Sequence, residues 1–114
     1  MNMEKTVQDM VGAKIQSFEE VCDYWQIVTD KGTINIYNPS KYCTPQGNHL
    51  EMKDVKEEDL INAIVTNVTF EPAKYLKFEL NHEKILKTSL EEEAYTGPEA
   101  VSIHYNTGET IVFE

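Results

Sequence analysis

The sequence predicts a mainly β domain: a curved antiparallel sheet, or a small barrel or sandwich, of about eight strands with a short N-terminal helix. An α+β layer with the helix on one face is the alternative. Three observations carry this. Apolar residues switch to a period of two after Gly12. Val, Ile, Thr, Tyr and Phe are dense in the alternating stretches. Two turn signals, Asp30-Lys31-Gly32 and Asn106-Thr107-Gly108, each separate a pair of such stretches.

The first twelve residues stand apart. Met3, Val7, Met10 and Val11 recur at helical spacing, Thr6 and Asp9 have capping-box spacing, and Gly12 suits the exit of a helix. Residues 1–12 therefore predict a helix. A first strand unit follows over 13–38, with strands near 13–20, 23–29 and 33–38. In "DYWQIVTDKGTINIYNP", a three-residue loop with Gly32 left-handed pairs Val28 with Ile34 and Trp25 with Tyr37. That register puts Trp25, Ile27 and Tyr37 on one face and Tyr24, Val28, Ile34 and Ile36 on the other. Neither face is polar, so this hairpin is expected to be covered on both sides or to curve.

Residues 39–61 predict a loop and a short helix. Pro39, Pro45 and Gly47 break the first half, and Asp54 with Glu57 has capping-box spacing in the second. A second strand unit follows over 62–90, with strands near 62–70, 74–80 and 84–90. Leu76, Phe78 and Leu80 mark its buried face, and the loop in "LNHEK" leaves the register open. A C-terminal hairpin closes 91–114, with strands near 100–105 and 109–113. It pairs Ile103 with Ile111 and Val101 with Phe113, with clean alternation. "AKIQSF" at 13–18 resembles "AIVTNV" at 63–68, and each leads into a hairpin, as two units related by a pseudo-twofold would. The whole chain, 1–114, reads as one domain, since 114 residues bury one ordinary core.

Charge narrows the partners. Ten Lys plus Arg face twenty Asp plus Glu, for a net charge of −10. Such a chain lacks the basic surface that displaces counterions from nucleic acid, so no nucleic acid is expected, and anionic membranes are disfavoured. A basic protein partner would be steered in by the same field. No apolar run suits a secretory signal or a membrane span. Cys22 and Cys43 are then expected to be reduced thiols in the cytoplasm.

Chemistry-bearing motifs are sparse. His49, His82 and His104 are far apart, and no metal-ligand spacing joins them to a cysteine, so no metal and no cofactor is expected. His82 reads as a turn residue and His104 as the polar side of a strand. No glycine-rich phosphate loop follows a strand. Cys22 or Cys43 could act as a nucleophile only beside a histidine, and no local signature places one there. The carboxylates are the conspicuous groups: Glu19, Glu20 and Asp23; Glu57, Glu58 and Asp59; Glu91, Glu92 and Glu93. As surface runs they offer a basic partner a docking face, with Tyr42, read as a loop residue, as an aromatic anchor. The expected function is a non-enzymatic acidic protein-interaction module. The alternative is a small-molecule-binding β domain, its interior lined by Trp25, Tyr37 and Phe78.

Asn38-Pro39 after the first hairpin and Gly97-Pro98-Glu99-Ala100 before the last one resemble the corresponding segments of small uncharacterised bacterial proteins. No catalytic motif accompanies the resemblance. In size and charge the chain is similar to the immunity proteins of toxin–immunity systems. That similarity implies a partner, a toxin domain masked by charge and shape complementarity, and no cofactor.

Overall fold

Among the described residues, alternation of apolar residues resolves into ten strands that form two five-stranded antiparallel sheets. The computed structural model describes residues 6–114. The expected β architecture is present, as two open sheets around a shared core and not as a closed barrel. The first sheet has the order β1(Ile15–Val21), β2(Tyr24–Thr29), β3(Gly32–Ile36), β9(Val101–Tyr105), β10(Thr110–Phe113). The second has the order β5(His49–Glu51), β4(Ser40–Cys43), β8(Lys84–Ser89), β7(Tyr75–Leu80), β6(Val65–Glu71).

The segment expected to be a loop is where the strand count grew. Residues 39–61 contain β4 and β5, which pair Tyr42 with Leu50 and Cys43 with His49. Both strands are short, and the Pro45–Gly47 turn between them masks their alternation. They hold because β4 also pairs along its length with β8. A helical turn, α1(Glu57–Leu60), ends the segment. Its cap is not Asp54 with Glu57: the Lys56 backbone N–H donates to the Asp59 carboxylate at 3.2 Å. At the N-terminus the Thr6–Asp9 capping box forms as expected, over a single 3-10 turn, Val7–Met10. The expected helix position Met3 lies outside the described residues.

The first hairpin departs from its expected register by one residue. Val28 pairs with Thr33, Ile27 with Ile34 and Trp25 with Ile36. The loop is closed by the Thr29 hydroxyl, which donates to the Gly32 carbonyl at 2.7 Å and accepts from the Lys31 and Gly32 amides at 3.1 Å each. Gly32 is not left-handed. It is needed because a Cβ there would lie 2.5 Å from the His104 carbonyl oxygen and 2.8 Å from the Tyr105 Cα on β9. With the corrected register Ile27, Ile34 and Ile36 all face the core, and Tyr37 falls on the opposite side from Trp25. The C-terminal hairpin keeps the expected pairs, Ile103 with Ile111 and Val101 with Phe113.

The backbones of the two units repeat one another. Lys14 and Ile64 form a β-bridge between the leading ends of the two units, and the hydrogen bonds around it come in matched pairs. Ile15 N–H donates to Ala63 at 2.9 Å, as Val65 does to Ala13 at 2.8 Å. Gly12 donates to Val65 at 2.7 Å, as Asn62 does to Ile15 at 2.8 Å. Each unit has a bulge at the same place, between Ile15 and Ser17 and between Val65 and Asn67. Each opening amide is also held by a turn side chain: Lys14 N–H by Asp30 Oδ1 and Ile64 N–H by Asn81 Oδ1, both at 2.9 Å.

The two units then exchange hairpins. The chain leaves β3, crosses at Asn38-Pro39, and adds β4–β5 to the sheet of the second unit; after β8 it crosses back and adds β9–β10 to the first. The crossings are themselves bonded. Tyr37 N–H donates to the Ala100 carbonyl at 2.9 Å, and Ser89 N–H donates to the Pro39 carbonyl at 3.2 Å. Apolar side chains from both sheets, Ile27, Ile34 and Ile103 with Leu76, Phe78 and Leu86, bury into one cluster. No helix among the described residues is long and apolar enough to cross a membrane.

Candidate functional site

The crossing at Asn38-Pro39 leaves a broad groove of about 1280 Å³. Trp25, Tyr37 and the β1–β2 turn line one part of it, and the outer face of the second sheet lines the rest. Alternation along β4, β7 and β8 sends Tyr42, Leu76, Phe78 and Leu86 inward. The intervening residues Lys41, Lys77 and Lys87 face outward.

Register brings those three lysines side by side. Lys41 is directly opposite Lys87, and Lys87 is directly opposite Lys77. Tyr75 lies beside them on the same face. The Lys87 Nζ is 4.6 Å from the centre of its ring and the Lys77 Nζ 5.7 Å, so both ammonium groups lean on one aromatic face by cation–π attraction. Lys53 and Lys74 complete the groove's cations, so this one concavity holds five of the chain's ten basic residues. Among the described residues, the basic side chains that come within ion-pair distance of a carboxylate are Lys53, 3.7 Å from Glu51, and His82, its ring nitrogen 3.6 Å from Glu79. Among the described residues, no carboxylate lies within that reach of the Lys41–Lys87–Lys77 row.

Carboxylates also meet here. Glu20 and Asp23, from the β1–β2 end, line the same groove as Glu91, which follows β8. Glu19, Glu92 and Glu93 are exposed beside them in sequence but do not line it. The third acidic run is elsewhere. Glu57, Glu58 and Asp59 form α1 beside the opposite end of β1, where Asn62 N–H bonds the Ile15 carbonyl. The three runs therefore do not make one surface.

Two expectations fail on burial. Tyr42 is no loop anchor: it is on β4 with 2% of its surface exposed, and burial pushes its phenol above the ordinary range. Phe78 is equally enclosed, so Trp25, Tyr37 and Phe78 do not line a common interior cavity; only the first two reach the groove. Trp25 is stacked on Phe18, ring centres 5.1 Å apart. No known protein family, characterised protein or solved structure matches this chain.

One pairing was not visible in the sequence. Cys43 and His49 face each other across β4–β5, with Sγ 3.3 Å from Nδ1, and both line the groove. Sequence reasoning placed them in a loop and so could not join them. A thiol beside an imidazole is the start of a nucleophilic site. Among the described residues, however, no further side chain bonds the imidazole to orient it, and no cluster of three or more His, Cys, Asp or Glu could hold a metal ion. His82 occupies a turn, as expected, with a left-handed φ of 61°. His104 stands on the exposed side of β9, bonded to Ser102 and Thr110 at 3.2 Å each. Asn38, at the crossing, donates to the Ser89 carbonyl at 2.8 Å, which ties the groove's wall to its floor.

Proposed function

We propose that this chain is a non-enzymatic interaction module whose carboxylates engage a basic macromolecular partner. The observation that carries this reading is the convergence of Glu20, Asp23 and Glu91 on one side of the fold, from positions far apart in the sequence. With a net charge of −10, the molecule presents a field that accelerates the approach of a basic surface, and the converged carboxylates give that field a place to dock. A toxin domain neutralised by its immunity protein is the sharpest version. Two free thiols fit a cytoplasmic place for it.

The test uses a partner captured from the native cell and purified. Reversing charge at Glu20, Asp23 and Glu91 to lysine should slow association by about tenfold or more at low salt, with the difference shrinking as salt rises. The same reversal at Glu57, Glu58 and Asp59 serves as the control and should cost less. An association rate indifferent to the first set would sink the reading.

A further inference from the structure

The lysine row points to a second kind of ligand. The pseudo-twofold supplies an internal comparison, because the strands of one sheet have counterparts in the other in the same order. The counterparts of Lys77, Lys87 and Lys41 are Gln26, Asn35 and Ser102, which occupy the equivalent adjacent strands in the equivalent order. Those three form a neutral chain: Gln26 donates to Asn35 and Asn35 donates to Ser102, at 3.3 Å each. The fold is thus satisfied at this row by uncharged, mutually bonded side chains. Like charges directly opposite one another oppose sheet formation. In a chain with twice as many acids as bases, three unneutralised ammonium groups on neighbouring strands are not a requirement of the architecture.

We propose that Lys41, Lys87 and Lys77 form a binding site for a compact anion carrying two or more linked phosphates. Adjacent strands are about 4.8 Å apart, so the row spans about 10 Å, the scale of a short polyphosphate and not of an extended strand of nucleic acid. The donor type agrees. All ten basic residues of the chain are lysines, and the lysine ammonium binds phosphate oxygens as a point charge. Tyr75 gathers the Lys77 and Lys87 heads over one ring and so limits the ordering that binding must impose. The carboxylates of Glu20, Asp23, Glu51 and Glu91 on the same groove repel any polyanion that runs past the row, which selects for a small ligand.

This site shares the groove with the carboxylates of the docking reading but rests on other residues, so either reading can fail alone. The experiment is calorimetric titration of the full chain with inorganic tripolyphosphate at low salt, beside a single-stranded oligonucleotide of twenty bases. Saturable binding of one tripolyphosphate per chain is expected, weakening as salt rises. It should weaken at least tenfold in the Lys41→Gln/Lys87→Gln variant and be kept in a Lys14→Gln/Lys31→Gln control, which removes the same charge elsewhere. A melting temperature no lower than that of the parent shows that the first variant is folded. Absent saturation, equal loss in both variants, or tighter binding of the oligonucleotide would each overturn the proposal.

Discussion

Tyr105 shows how one hydroxyl can tie the first residues of the fold to its penultimate strand. Its side chain is in the core, and its O–H donates to the Thr6 carbonyl ahead of the first helical turn. Burial raises its pKa from the ordinary 10 to about 12, with the Asp9 and Glu109 carboxylates adding to the shift. The folded state holds this proton more tightly than the unfolded chain does. Its contribution to stability is therefore complete below about pH 10 and is lost as pH climbs toward 12. Urea midpoints measured from pH 8 to 12 should fall across that window, and Tyr105→Phe should flatten the fall while lowering the plateau by about 1 kcal/mol for the lost hydrogen bond. A slope unchanged in the variant would assign the alkaline transition to another group.

Legibility also divides at the residue scale. Alternation alone identified Ile103, Phe113, Leu76 and Phe78 as interior, because burial of one sheet face is a local pattern. For Gly32 the sequence points to the wrong reason, because the right one is not local. The turn-forming logic assigned it a left-handed angle, whereas the structure needs it bare so that β9 can approach. Tyr42 was misread for a related reason: a four-residue strand between Pro39 and Pro45 is too short to declare itself, and only pairing with β8 makes it one. The lysine row was invisible in sequence because Lys41 comes from a different hairpin. The Lys77–Lys87 pair was within reach, since a loop of Asn81, His82 and Glu83 sets those residues opposite each other.

At the scale of the element, the second sheet bears the consequence of that row. Placing Lys87 between Lys41 and Lys77 sets two like-charge pairs directly across the strands, each unfavourable by about 0.2–1 kcal/mol, partly offset by the cation–π contacts with Tyr75. Lys87→Gln removes both repulsions and imitates Asn35, its neutral counterpart in the first sheet. The anion-free variant should be more stable than the parent by about 0.5 kcal/mol. Chemical denaturation at low salt measures the gain, and high salt should erase it, since these side chains are exposed to screening. A loss of stability instead would mean that Lys87 serves the sheet through its aromatic contact and that the row carries no latent repulsion.

For the whole molecule, the exchange of hairpins decides how the fold comes apart. Neither half of the chain completes a sheet alone: β4–β5 supplies two strands to the second unit, β9–β10 two to the first, and the crossing hydrogen bonds fasten each exchange. The Lys14–Ile64 bridge joins the leading edges of the two units, and residues of both sheets share one buried cluster. Unfolding either half of the chain therefore strips two strands' worth of pairing from the sheet built on the other half and exposes that sheet's apolar face to water. Urea unfolding should be a single transition, coincident whether followed by the fluorescence of Trp25 in the first sheet or by backbone circular dichroism, which reports both. The same interlock predicts that a fragment ending at residue 61 lacks a stable fold, because its β4 has no β8, and its β3 no β9, to pair with. Two resolved transitions, or a cooperatively folded fragment, would show that each unit can close on its own and that the exchange decorates two independent halves.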